Sequence, residues 1–251
     1  MPTVSEQTVK DLEQFDTCTI SNAIEQFGVR LRNEGFMNSS VRCLFPALGA
    51  RAGYAAVGRV RTASTPVSGP CYYHSMDWWK YILTVPAPRF IILKDSDHVF
   101  GNGALVGEVH ANIFAALGCT AVLTNGAIRD LPGIENTGLQ VFAGNVAVSH
   151  AYAHIVGFGE PVEVAGLLVK PGDLLHGDRH GVQLVPTSIA AQIPKAARDL
   201  VQAEQNIIDL CRSKAFSLDA LAKEIESTSR KMSMSGCPPP TNPEGKRKNG
   251  P

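Results

Sequence analysis

Gly107-Glu108-Val109-His110, a helical run from Ala111 to Leu117, the β-rich run Ala121-Val122-Leu123-Thr124 and then Asn125-Gly126-Ala127-Ile128-Arg129-Asp130 decide how this chain folds. Helix, strand and turn follow one another at the spacing of an α/β unit. Glu108 stands where the helix begins, beside backbone N–H groups that have no intrahelical acceptor. Arg129 and Asp130 leave the end of the strand through a turn that Asn125-Gly126 favours. If strand and helix pack side by side, both carboxylates and the guanidinium face one pocket. A planar guanidinium fork suits a carboxylate, and two acidic side chains suit a hard divalent cation such as Mg²⁺. That reading is a site for a small anionic substrate plus metal. The other is a solvated Arg-Asp turn and a helix-start carboxylate held by the dipole alone. Spacing leaves both open.

Working outward, Glu6 to Phe27 reads as one or two amphipathic helical segments, with Thr19 or Ser21 as cap of the second and Gly28 as its stop. Ala55 to Thr62 is the strand expected within a Gly/Pro-rich region, and Tyr73 to Leu83 favours a helix in which Trp78-Trp79 serve packing or subunit contact. Arg89 to Lys94 is a strand of the fully buried type. Gln140 to Ala143, and the pair Val162 to Ala165 and Leu167 to Val169 around Gly166, are further strands. From Thr187 the apolar spacing becomes helical, with Pro194 in a first turn or at a break and Ser217 capping a last helix to about Met232. This is one α/β domain over residues 1–232, of mixed layers rather than a pure doubly wound sheet, followed by a low-complexity tail over 233–251.

Charge is balanced, 23 basic against 23 acidic residues, which supplies no electrostatic case for nucleic acid or an anionic membrane surface. Six cysteines are scattered without CxxC spacing, which argues against a zinc module and for reduced, cytoplasmic thiols. No secretory leader and no apolar run long enough to span a membrane is expected. Gly101-Asn102-Gly103 lacks the third glycine of a dinucleotide fingerprint at the required spacing. His176-Gly177-Asp178-Arg179-His180 could put three ligand-type side chains on one strand face, but its glycines suit a tight hairpin, the reading adopted. No nucleophile elbow is present, and Lys170, at a Pro-Gly turn, is poorly placed for a desolvated Schiff-base amine.

Gly107-Glu108 ahead of a helix, Gly118, the strand, Asn125 to Asp130, and later Val169-Lys170-Pro171-Gly172-Asp173 and Asp178-Arg179-His180-Gly181-Val182 together resemble the RraA-like family, which includes the class II 4-hydroxy-4-methyl-2-oxoglutarate aldolases. The resemblance runs from about Thr17 to about Gln205. It implies a compact β/β/α layered domain with a C-terminal helical extension. It also implies a lyase that cleaves a 4-hydroxy-2-oxo acid, or decarboxylates oxaloacetate, through a pyruvate enolate with Mg²⁺ or Mn²⁺. Asp130 would then anchor the metal and Glu108 hold its waters. Arg129 would bind the substrate, with Gly107 and the backbone N–H groups of Val109 and His110 receiving its carboxylate. Glu204, from a neighbouring copy of a homotrimer or homohexamer, would reach the substrate as a candidate to take its 4-hydroxyl proton, a metal-bound water being the other. The chain departs from the family where it has Asn22 and Asn125 in place of Asp, and Gly133 in place of an acidic residue. The competing expectation from the same resemblance is a non-catalytic regulator that acts by protein contact.

Overall fold

The computed structural model describes residues 4–68 and 76–234. Helices α1 (Glu6–Leu12) and α2 (Thr17–Glu25) open the chain. The cap of α2 is Asp16, whose carboxylate accepts the Thr19 N–H at 2.7 Å. Thr19 is therefore the donor at this helix start, and neither it nor Ser21 is the cap: an ionised acceptor beside the first-turn N–H groups satisfies the helix end from one residue before it.

A nine-stranded sheet follows. Its strands are β1 (Arg42–Cys43), β2 (Arg51–Arg61), β3 (Arg89–Asp95), β4 (Ala104–Val106), β5 (Cys119–Ile128), β6 (Gln140–Val146), β7 (His154–Phe158), β10 (Leu174–Asp178) and β11 (Gly181–Leu184). The hairpin of β8 (Val162–Val164) and β9 (Leu167–Val169) forms a separate layer. The main order is β1-β6-β5-β3-β2-β10-β11, with β4 beside β5 and β7 beside β2. Its centre, β2, β3, β5 and β6, is parallel, and β1 and β10 flank it antiparallel.

The Phe90-Ile91-Ile92-Leu93 run is fully apolar because both faces of β3 are covered. Ile91 and Leu93 join the core shared with Ile20, Trp78 and Phe114 from α2, α3 (Met76–Thr84) and α4 (Glu108–Ala116). Phe90 and Ile92 face Val162, Val164, Leu167 and Val169 of the small hairpin. This is the layered β/β/α arrangement expected. The short helix α5 (Leu131–Glu135) follows β5. The extension is α6 (Ile193–Arg212), with Pro194 in its first turn, and α7 (Leu218–Met234), whose start the Ser217 hydroxyl caps by accepting the Ala220 N–H. Residues 235–251 of the expected tail, and Tyr73, Cys71 and Cys237, lie outside the described residues.

Trp78 is 1% exposed and stacks on Tyr81 and Phe158, and Trp79 lies against Phe114 and His110, so this pair packs within the chain. Cys18, Cys43, Cys119 and Cys211 are free thiols, and burial pushes that of Cys119 up to about 12. Among the described residues no helix is long and apolar enough to cross a membrane.

The His176 to His180 stretch forms the β10–β11 hairpin, with Asp178 opposite Gly181. His176 is fully buried: its Nε2–H donates to the Leu12 carbonyl at 3.2 Å and its Nδ1 accepts from the Thr17 hydroxyl at 3.1 Å. Asp178 accepts the Thr17 and His180 N–H groups. The cluster ties α1 and α2 to the hairpin and is structural.

Burial lowers the imidazoles of His176 and His110 from 6.5 to about 4. Between those values the unfolded chain binds the additional protons, so stability present above pH 6.5 is lost as pH falls towards 4. NMR titration of the ring resonances is expected to show both histidines neutral at pH 6. A titration midpoint near 6.5 for either ring would contradict this account.

Candidate functional site

Strand β4 runs parallel to the end of β5, with Val106 opposite Ile128. The Arg129 N–H donates to the Val106 carbonyl at 3.0 Å, so the residues following both strands emerge together. Gly107 is the N-cap of α4 and has no side chain to satisfy the helix start. Asp130 does so from the other segment: its Oδ2 accepts the Glu108 N–H at 3.3 Å. Glycine is required at 107 because a Cβ there would stand 2.5 Å from Asp130 Oδ2 and 3.2 Å from Arg129 Cγ. Asp130 itself takes a left-handed backbone, φ 57°, ψ 44°, which costs a non-glycine residue on the order of 1 kcal/mol and turns its carboxylate back to α4.

Arg129 Nε donates to both Asp130 oxygens at 3.2 Å. With the side chains 32% and 39% exposed, the pair adds little to stability. Its geometric effect is larger, since the Nη groups of Arg129 have no partner among the described residues and stay available to an anion. A cleft of about 130 Å³ opens here, lined by Gly107, Val109, His110, Arg129, Asp130 and His150, with Ala104 and Leu105 at its wall. The first intrahelical bond of α4 is Ala111 N–H to the Gly107 carbonyl, so the N–H groups before it lie at the cleft end of the helix.

Of the residues singled out in the sequence, Gly107, Val109, His110, Arg129 and Asp130 meet at this cleft. Glu108 contributes its N–H, while its carboxylate packs over Gly133: a Cβ at 133 would lie 2.5 Å from Glu108 Cδ. The Glu108 side chain thus fills the space beside Gly133. Glu204 is an exposed residue of α6 and does not line the cleft within this chain.

Asn22 is exposed on α2 and does not line the cleft. The Asn125-Gly126 turn is not formed. Strand β5 continues to Ile128, with a pairing irregularity between Thr124 and Ala127. Asn125 is buried within it, accepting the Asp95 N–H at 2.8 Å and donating to the Asp95 carbonyl at 3.0 Å. An amide, with both a donor and an acceptor, fits where a carboxylate lacks the donor. Gly126 lets Asp95 pack close, since a Cβ would come within 3.1 Å of its Oδ2.

Asp95 is 1% exposed, and its carboxylate accepts the Gly101 and Asp97 N–H groups, so it fixes the loop leading into β4. Burial pushes its carboxyl above the ordinary value. Sequence reading missed Asp95 and His150. An acidic residue ending a buried-type strand was a signal for the first, and Ser149-His150 following the Gln140 strand was a weak one for the second.

Asp130 supplies hard oxygen donors at the cleft, the Glu108 carboxylate lies over Gly133 instead, and among the described residues no three His, Cys, Asp or Glu side chains are grouped to hold a metal ion. The donor set fits an open, water-rich Mg²⁺ or Mn²⁺ site using one or two carboxylates, and does not fit a closed zinc cage.

Residues 17–184 match the family model described as RraA-like, Aldolase/RraA. A Halalkalibacterium halodurans protein named "Putative 4-hydroxy-4-methyl-2-oxoglutarate aldolase" is 23% identical over 120 residues, 47% of this chain and 55% of that relative, so the match spans only about half of the relative's length. A crystal structure of a Pseudomonas syringae pv. tomato protein superposes with a TM-score of 0.68 at 20% identity, covering 90% of this chain and 96% of the other. Streptomyces coelicolor RraAS2, described as an unusual member of the RNase ES inhibitor RraA protein family, superposes with a TM-score of 0.63 at 20% identity over 82% and 97%. These structural likenesses concern the fold.

Asn125→Asp is expected to lower stability by about 1–3 kcal/mol, because it removes the donor to the Asp95 carbonyl and sets a carboxylate oxygen against it. Urea denaturation of the two proteins at pH 7 measures this, and equal midpoints would remove the structural role given to the amide.

Proposed function

The chain belongs to the RraA-like family, and from that premise we propose that it is a divalent-metal-dependent carbon–carbon lyase acting on a small 2-oxo acid. The observation that carries this reading is the meeting of Arg129, Asp130 and the start of α4 at one cleft. The Nη groups of Arg129, without a partner among the described residues, bind a substrate carboxylate or carbonyl oxygen through their planar fork. The start of α4 receives negative charge as well, through its N–H groups and its dipole. His110, held neutral by burial, adds no competing charge to the wall.

Asp130 is the residue that would hold Mg²⁺ or Mn²⁺, and Glu108 would reach the ion's waters only by leaving its place over Gly133. When bound, such an ion draws off the charge that develops on the 2-oxo group as a pyruvate enolate forms. The chain's own groups do the positioning. Asp130 orients the guanidinium through Nε, and Glu108 N–H fixes Asp130. The same enolate arises from aldol cleavage of a 4-hydroxy-2-oxo acid and from loss of carbon dioxide from oxaloacetate, so one cleft serves both reactions. A homotrimer or homohexamer, with Glu204 reaching the cleft from a neighbouring copy, belongs to the same proposal.

Pyruvate release from 4-hydroxy-4-methyl-2-oxoglutarate and from oxaloacetate is expected to stop in excess EDTA and to return with Mg²⁺ or Mn²⁺. Arg129→Lys keeps the charge but loses the fork, and is expected to lower kcat/KM by roughly 10²–10³. Asp130→Ala is expected to abolish turnover while the protein stays folded, and Lys170→Ala to be silent. Wild-type turnover in both site variants would leave the Arg-Asp turn structural and favour the regulator reading. For the assembly, light scattering is expected to return a trimeric or hexameric mass, and a monomer would overturn that part.

A further inference from the structure

Cleavage of a 4-hydroxy-2-oxo acid needs a group that takes the proton of the C4 hydroxyl, and among the described residues of one chain few side chains lining the cleft could do so. Arg129 presents only N–H donors and has no lone pair to accept a proton. Asp130 is engaged by Arg129 Nε and the Glu108 N–H. His110 is 4% exposed, between Trp79 and Phe114, and burial makes it a weak base. The Glu108 carboxylate lies over Gly133, away from the cleft lining.

His150 is different. It lines the cleft and is only partly buried, so a proton it accepts can pass to solvent. The turn that carries it is held on all sides. Ala104 N–H donates to the Ser149 carbonyl at 3.1 Å, pinning the turn to β4. Ala151 N–H donates to the Ser149 hydroxyl at 2.9 Å, and Tyr152 N–H to the Thr62 carbonyl at 3.1 Å. Ala153 N–H donates to the His150 carbonyl at 2.9 Å, and Ala151 takes a left-handed φ of 47°. Gly103 accommodates the turn, since a Cβ there would stand 2.7 Å from the His150 carbonyl oxygen. The His150 Nδ1 lies 3.4 Å from the Ala151 carbonyl, a further contact within the turn.

We propose that His150 is the proton-transfer residue of the aldol cleavage, a role that rests on the lyase reading above. Its imidazole takes the C4 hydroxyl proton, and the O–H electron pair becomes the new C4 carbonyl. The C3–C4 bond breaks, and its electrons form the enolate of pyruvate across C3 and C2. The imidazolium then returns the proton to C3. For 4-hydroxy-4-methyl-2-oxoglutarate the products are two pyruvates, with no other reactant. Oxaloacetate decarboxylation breaks the same bond but has no hydroxyl proton to remove, and its enolate takes the C3 proton from solvent, so it bypasses the His150 step.

The test is to assay His150→Gln, with Mg²⁺ or Mn²⁺, on both substrates. Cleavage of 4-hydroxy-4-methyl-2-oxoglutarate is expected to fall by roughly 10²–10⁴, the usual worth of a general base, while oxaloacetate decarboxylation stays near the wild-type rate. The preserved decarboxylation shows that fold and cleft are intact. His154→Gln, at the start of β7 and outside the cleft lining, is expected to leave both rates unchanged. Equal losses on both substrates would make His150 a structural or binding residue, and unchanged cleavage would show that the proton leaves by another route; either overturns the proposal. A wild-type protein inactive on both substrates overturns the lyase reading itself, and this role with it.

Discussion

The pairing of β4 with the last residues of β5 is the constraint on which the rest of the site depends. It sets Val106 opposite Ile128, so Gly107 and Arg129 leave the sheet side by side although they are far apart in sequence. Two consequences follow from that proximity. Residue 107 can carry no side chain, and the helix it begins must be capped from elsewhere. Asp130 supplies the cap through a left-handed backbone, and the same carboxylate aligns the arginine. A helix end that would ordinarily be closed by its own Ser, Thr or Asp is instead left as part of a cleft wall.

Behind this pair lies a buried polar layer that holds β4 where it is. Asp95, at the end of β3, anchors the loop towards β4 through its carboxylate, and Asn125 secures the Asp95 backbone from β5. Each of these polar groups has a partner, which is what allows them to be nearly inaccessible to water. The cleft therefore sits at the carboxyl ends of the parallel strands, the usual place for ligands on such sheets. The opposite ends are covered differently: there Tyr54 and Glu13 bond to Val4 and Ala52 and join the first helix to the sheet.

The two faces of the sheet divide the labour. One is covered by helices and the other by a two-stranded hairpin, so β3 and β5 are apolar throughout and supply a rigid base. Polar chemistry is confined to the strand ends, where backbone groups are no longer used up by the ladder. His110 and His176 show how a histidine behaves once such a frame encloses it. Both are driven neutral, one in the cleft wall and the other tying the first helices to the β10–β11 hairpin.

By itself the sequence determined the layered α/β class, the main strands and helices and the hairpin at His176 to His180. All of these rest on local periodicity, on turn and helix-start chemistry, or on the resemblance those residues carry. Only the tertiary structure decided that Asn125-Gly126 continues a strand rather than turning, because the competing partner is Asp95 on β3. It also decided that the Glu108 carboxylate lies over Gly133, that Trp78 is spent on internal stacking, and that His150 joins the cleft. Each of these depends on strand order, register or the packing of one element on another. Such relations bring together residues whose spacing along the chain has no periodic signature.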